Sequence, residues 1–137
     1  MRVTNKPILL VEDDQVDMMR VTRALKEIDV VNQVVHRENG EEALNYLRNE
    51  KSEKPCIILL DLNMPIMNGI EFLQTVKKDE RLRRIPVVVL TTSDDHEDKL
   101  NSFNFGVAGY MGKPVDYQQF VEVMRSIDGY WTISQMP

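Results

Sequence analysis

The sequence predicts a doubly wound α/β domain, a parallel sheet of five strands with helices on both faces. Two patterns carry that prediction. Strand-like and helix-like segments alternate five times along the 137 residues, the arrangement that builds a parallel sheet through crossover helices. Three of the strand segments, Ile8-Leu9-Leu10-Val11, Cys56-Ile57-Ile58-Leu59-Leu60 and Pro86-Val87-Val88-Val89-Leu90, are unbroken apolar runs. Strands that bury only one face alternate apolar and polar residues, whereas strands covered on both faces read as continuous runs.

The first strand is expected over 7–11, followed by a helix over 15–28 whose apolar positions are Val16, Met19, Leu25 and Ile28. A second strand over 33–37 leads to Asn39-Gly40, after which a helix places Ala43, Leu44 and Leu47 on one face. The third strand, over 56–60, stops at Asp61, and Asn63-Met64-Pro65 breaks the pattern. A helix from about 69 carries Ile70, Phe72, Leu73 and Val76 at helical spacing. The fourth strand is expected over 86–90. A weakly apolar helix over 95–105 follows, with Leu100, Phe103 and Phe105. A short strand over 108–111 and a helix beginning after Pro114 complete the set. The length suits one domain spanning 1–137, with its core over about 6–130 and no linker or output domain after the last helix.

Composition narrows the class. The chain is 42% hydrophobic and 28% charged, without repeats or low-complexity tracts, as expected of a soluble globular domain. Its net charge of −5 argues against nucleic acid or an anionic membrane as the main partner. No apolar run approaches the roughly 18 residues of a membrane span, and the N-terminus leads into a strand with no signal peptide, so the expected location is the cytoplasm. The single cysteine, Cys56, excludes an internal disulfide and falls in a core strand, where it reads as a small hydrophobe. His36 and His96 follow no ligand spacing, and the eight methionines read as packing residues.

The chemistry lies at the strand ends. Glu12-Asp13-Asp14 follows the first strand and Asp61 the third, while Thr91 and Lys113-Pro114 follow the fourth and fifth. In open α/β sheets this edge holds the ligand site. Asp14 or Asp17 alone would be explained by the favourable placement of acids at a helix N-terminus. The convergence of Glu12, Asp13 and Asp61 without local basic partners is not, because crowded like charges call for a cation. An all-oxygen donor set suits Mg²⁺, which would also offset the charge of an incoming phosphoryl group. Asp61 is then the candidate nucleophile, since carboxylates form aspartyl-phosphates. Lys113 offers a positive charge, and Thr91 a hydroxyl donor, to phosphoryl oxygens.

These residues together resemble the receiver domain of two-component response regulators. The resemblance spans about 6–130 and rests on five separated elements: Glu12-Asp13, Asp61 with Asn63-Met64-Pro65, Gly69, Thr91, and Lys113-Pro114. The spacings of 30 residues from Asp61 to Thr91 and 22 from Thr91 to Lys113 match the family pattern. The stretches around Leu60–Pro65, Ile85–Ser93 and Lys113–Asp116, with the closing Gly129-Tyr130-Trp131, look like the single-domain regulators paired with bacterial phytochrome histidine kinases.

The resemblance implies a flavodoxin-like receiver fold with strand order 2-1-3-4-5 and a cis Lys113–Pro114 bond. It implies that Asp61 accepts a phosphoryl group from a kinase phosphohistidine. Asp13 would bind Mg²⁺ directly, Glu12 through water and Asn63 through its backbone carbonyl. Asp14 stands open as an alternative to Glu12. Thr91 and Lys113 would contact the phosphoryl group, and Tyr110 would be the rotating aromatic of a switch on the face of helix 4, strand 5 and helix 5. Such a protein is a phosphoacceptor with intrinsic autodephosphorylation, not an enzyme with an external substrate. Its expected partners are a sensor histidine kinase of the phytochrome type, an unidentified downstream protein, and a second copy of itself. The homodimer is expected because Val123, Tyr130 and Ile133 exceed what a core-facing stripe of the last helix needs.

Three other chemistries compete. An aspartyl-nucleophile phosphatase needs a second acid two residues beyond the nucleophile, and that position is Asn63. A dinucleotide or flavin binder would carry a glycine fingerprint in the first βα turn, which instead reads Glu12-Asp13-Asp14-Gln15. A receiver-like interaction module independent of phosphate is disfavoured by the joint presence of Asp61, Thr91 and Lys113.

Overall fold

The computed structural model describes residues 6–27, 29–61, 69–91 and 106–112, together with 118 and 122. Within them the chain runs β1 (Ile8–Val11), α1 (Gln15–Glu27), β2 (Val34–Arg37), α2 (Gly40–Arg48), β3 (Ile57–Asp61), α3 (Gly69–Lys78), β4 (Val87–Thr91) and β5 (Gly109–Gly112). The helix expected over 95–105 lies outside the described residues. So does the one expected after Pro114, apart from Gln118 and Glu122, which are helical and exposed. No helix among the described residues is long and apolar enough to cross a membrane.

The strands form one parallel sheet in the order β2-β1-β3-β4-β5. The aliphatic runs dictate this, because each strand buries alternate residues on opposite faces. Leu9, Val11, Ile58, Leu60, Val87 and Val89 pack against α2 and α3 through Ala43, Leu44, Leu47, Phe72, Leu73 and Val76. Ile8, Leu10, Ile57, Leu59, Val88, Leu90 and Met111 build the other face, where α1 contributes Val21 and Leu25. Cys56 is buried in that second cluster, as the sequence reading expected.

Strand limits differ from the expected ones by a single residue. The β3, β4 and β5 ladders run one position beyond the expected apolar runs, because pairing uses the backbone and is indifferent to side-chain polarity: Asp61 pairs with Leu90, and Thr91 with Gly112. At their starts, Pro7 and Pro86 have no N–H to donate but still accept through their carbonyls, from Cys56 N at 2.9 Å and Ile58 N at 2.9 Å.

The apolar stripe of α1 is also corrected. Val16 and Met19, read as its apolar positions, are each 56% exposed. The buried stripe follows Val21 and Leu25, flanked by the partly buried Met18 and Ala24. At about 100° per residue, Met19 lies roughly 200° from Val21 and therefore faces away.

Local signals set the helix ends. Asp14 caps α1: its Oδ1 accepts from Val16 N at 2.8 Å and Asp17 N at 3.1 Å, two of the donors a helix start leaves unpaired. Asn39 caps α2 by accepting from Glu42 N at 2.9 Å, while its Nδ2 approaches Glu42 Oε2 at 3.4 Å. After α1 the chain turns through Asp29 at φ 65°. Asp29 N donates to Lys26 O and Val30 N to Leu25 O, at 3.0 and 2.9 Å, the paired bonds of a Schellman terminus.

Candidate functional site

In the order β2-β1-β3-β4-β5 the winding reverses between β1 and β3, and at such a switch point the crevice lies beyond the strand ends. Register places the acids there. Val11 of β1 is level with Leu60 of β3, so the residues that follow, Glu12 and Asp61, emerge side by side. Glu12 is fully buried and Asp61 is 7% exposed, whereas Asp13 is exposed at the rim. One carboxylate oxygen from each of Glu12, Asp13 and Asp61 lies within 4.8 Å of the other two.

At that separation two full charges repel by about 3–4 kcal/mol with an effective dielectric near 20. The Asp13 carboxyl is held above the ordinary carboxylate value by partial desolvation first, then by the charge and hydrogen bonding of Glu12 and the charge of Asp14. A hydrogen bond from its own backbone works in the opposite direction. Hard oxygen donors, convergent, partly desolvated and mutually repelling, fit a small divalent cation that keeps some of its water.

Asp14 does not join the three. Its carboxylate is engaged in capping α1, and only its backbone N–H turns back toward the cluster, at 3.4 Å from Glu12 Oε2.

The other residues singled out from the sequence sit as follows. Thr91 is the last residue of β4 and pairs with Gly112, the residue before Lys113. Tyr110, in β5, is level with Val89 and packs partly buried against the cluster under α2 and α3. Asn63, Lys113, Pro114 and His96 lie outside the described residues.

His36 contributes a contact that the sequence reading missed. Its Nε2 lies 2.6 Å from Glu12 O, and since a carbonyl oxygen can only accept, Nε2 carries the hydrogen. Strand parity could have found it: β1 and β2 run level, with Leu10 opposite His36, so the end of β2 must flank the residue after Val11.

A cleft of about 430 Å³ lies elsewhere. It sits between the C-terminal ends of α2 and α3, where Arg48, Lys54 and Arg81 are balanced by Glu50, Asp79 and Glu80. It has none of the convergent charge of the acidic site.

Comparison with known proteins agrees with the geometry. The model of the response regulator receiver domain matches residues 8–125. Response regulator Rcp1 of Synechocystis is 35% identical over 130 residues, covering 92% of this chain and 88% of Rcp1. The bacteriophytochrome response regulator AtBRR superposes with a TM-score of 0.84 at 38% identity, over 96% of this chain and 98% of AtBRR. The Mn²⁺-bound form of Rcp1 superposes with a TM-score of 0.75 at 34% identity, over 96% and 97% of the two chains. The fold is thus the flavodoxin-like receiver fold, with bacteriophytochrome response regulators among its close structural neighbours. A family match over most of the chain, together with the acidic crevice at the β1/β3 switch point, makes this protein a member of the response regulator receiver domain family.

Proposed function

We propose that this receiver accepts a phosphoryl group on Asp61 from a sensor histidine kinase in an Mg²⁺-dependent reaction, and that the modified protein regulates a protein partner. The observation that carries this reading is the carboxylate of Asp61, nearly buried at the end of β3 with Glu12 and Asp13 oxygens within 4.8 Å. In the transfer, an Asp61 carboxylate oxygen attacks phosphorus. The new P–O bond forms as the P–N bond to the kinase imidazole breaks, and the bonding pair returns to that nitrogen, which takes up a proton. Glu12, Asp13, Asp61 and the Asn63 carbonyl are the residues proposed to hold Mg²⁺, whose charge when bound would offset that of the carboxylates and of the phosphoryl oxygens. Lys113 and the Thr91 hydroxyl are assigned to phosphoryl oxygens, so that a product with about 1.5–2 added negative charges has partners of opposite polarity.

The likeness to the bacteriophytochrome response regulator AtBRR favours a phytochrome-type kinase as the donor, and the Mn²⁺-bound form of Rcp1 favours a divalent ion in the crevice. Loss of the group is assigned to intrinsic autodephosphorylation. Thr91 drawn toward the phosphoryl group would free space for Tyr110 to rotate inward, changing the surface that a downstream protein or a second copy reads. The test is transfer of radiolabel from a phosphorylated phytochrome histidine kinase: rapid labelling of wild type but not of Asp61→Asn is expected. Labelling of both, or of neither by any phytochrome kinase tried, contradicts the reading.

A further inference from the structure

Glu12 is gripped through its backbone by the edge strand beside it. Its N–H donates to Arg37 O at 3.0 Å, and its carbonyl accepts from His36 Nε2 at 2.6 Å. Both partners come from consecutive residues of β2, whose register with β1 ends at Val11 opposite Arg37. The hold is itself braced. Arg37 Nη1 donates to His36 O at 2.7 Å, and its guanidinium carbon stands 5.0 Å from the centre of the Tyr46 ring. The Tyr46 hydroxyl donates to Glu53 O at 2.7 Å, tying the end of β2 to α2 and the loop beyond it.

This matters because Glu12 has reason to move. It is fully buried among like charges, and their repulsion works against keeping its carboxylate in the crevice. The contact its side chain receives from Asp14 N is long, at 3.4 Å. A peptide anchored at both its N–H and its carbonyl leaves the side chain few ways out.

We propose that His36 is a positioning residue of the acidic site, holding the Glu12 peptide so that its carboxylate stays beside Asp13 and Asp61 and thereby setting the affinity for Mg²⁺. The imidazole suits the task because a rigid ring with two side-chain torsions places a donor at the carbonyl with little entropy to lose. The inference rests on the reading of the crevice as a metal site.

Calorimetric titration with Mg²⁺ alone tests it in wild type, His36→Phe and His36→Gln. The phenyl ring keeps the bulk and removes the donor; the Gln amide returns an N–H at a similar reach. Removing groups that orient metal ligands weakens binding by about 10–100-fold, and the Phe variant is expected at the low end of that range. The Gln variant is expected to stay within about threefold of wild type, since its amide restores the bond. Thermal melts check folding, and His36→Val, a β-former without a donor, replaces Phe if that variant does not fold. Unchanged affinity in the donor-less variant overturns the role of His36 alone. Equal loss in the Gln variant also overturns it, because the ring and not the hydrogen bond would then matter. A wild type that takes up no Mg²⁺ overturns the metal site itself.

Discussion

The carboxylates of Glu12 and Asp61 are the two buried acids at the β1/β3 seam, and their oxygens lie within 4.8 Å of each other. Two charges that close and that dry repel by about 3–4 kcal/mol, a considerable share of the 5–15 kcal/mol by which a domain is stable. Such a pair, with Asp13 beside it, fits a divalent cation.

Asp13 and Asp14 adjoin in sequence but differ in task, and two substitutions separate them. Asp14→Ala removes the α1 cap and is expected to lower stability by about 1 kcal/mol while leaving the Mg²⁺-induced rise in Tm intact. Asp13→Asn is expected to leave metal-free stability unchanged or slightly higher and to abolish that rise. Melting curves with Mg²⁺ and with EDTA read both effects, and the reverse pattern would make Asp14 the ligand.

The raised Asp13 carboxyl has a definite sign in pH-dependent stability. Between its ordinary value of 3.8 and its higher folded value, the native state keeps a proton that the unfolded chain has released. Stability therefore falls as pH rises through that window, and the unfavourable contribution is complete above it. In EDTA, urea melts should show Asp13→Asn gaining on wild type as pH rises across the window. Saturating Mg²⁺ should reverse the order at neutral pH, because only the deprotonated carboxylate binds metal. A gap independent of pH would remove Asp13 from the cluster.

Asp29 closes α1 in a left-handed conformation at φ 65°, which costs an L-residue roughly 1–2 kcal/mol. Asp29→Gly is expected to stabilise the protein by about 1 kcal/mol, raising Tm by about 3–4 °C. The flanking contact of Leu25 with Val30, both buried in one cluster, should be unaffected. Differential scanning calorimetry checks the shift, and a loss of stability would show that the Asp29 side chain contributes more than its backbone strain takes away.

The proposed homodimer rests on the apolar surplus of the C-terminal segment, Val123, Tyr130 and Ile133. Sedimentation of wild type beside the double variant Val123→Glu/Tyr130→Glu is expected to show a dimer and a monomer respectively. Two identical profiles would retire that surface.

Much of this was legible in the chain because backbone register turns strand ends into a spatial code. Once three aliphatic runs define β1, β3 and β4, Glu12, Asp61 and Thr91 must come to one edge. What side chains do beyond the strand ends was less legible. Three acids in a row gave no means of telling a ligand from a cap, since the difference lies in where the Asp14 carboxylate meets the first amides of α1. Met19 and Val16 look like core residues in a helix whose buried stripe is in fact narrow. His36 carried no ligand spacing, because its partner is a backbone carbonyl, and carbonyls have no sequence.

Asp61 is proposed to take the phosphoryl group and to need the neighbouring acids and a divalent ion to do so. Intact-mass spectrometry after incubation with acetyl phosphate, with Mg²⁺ or with EDTA, tests it on wild type, Asp61→Asn and Asp13→Asn. The expected result is a mass gain of one phosphoryl group on wild type in Mg²⁺, located at Asp61 by peptide mapping, and none on wild type in EDTA or on either variant. Full modification of Asp61→Asn, or of wild type in EDTA, would contradict it.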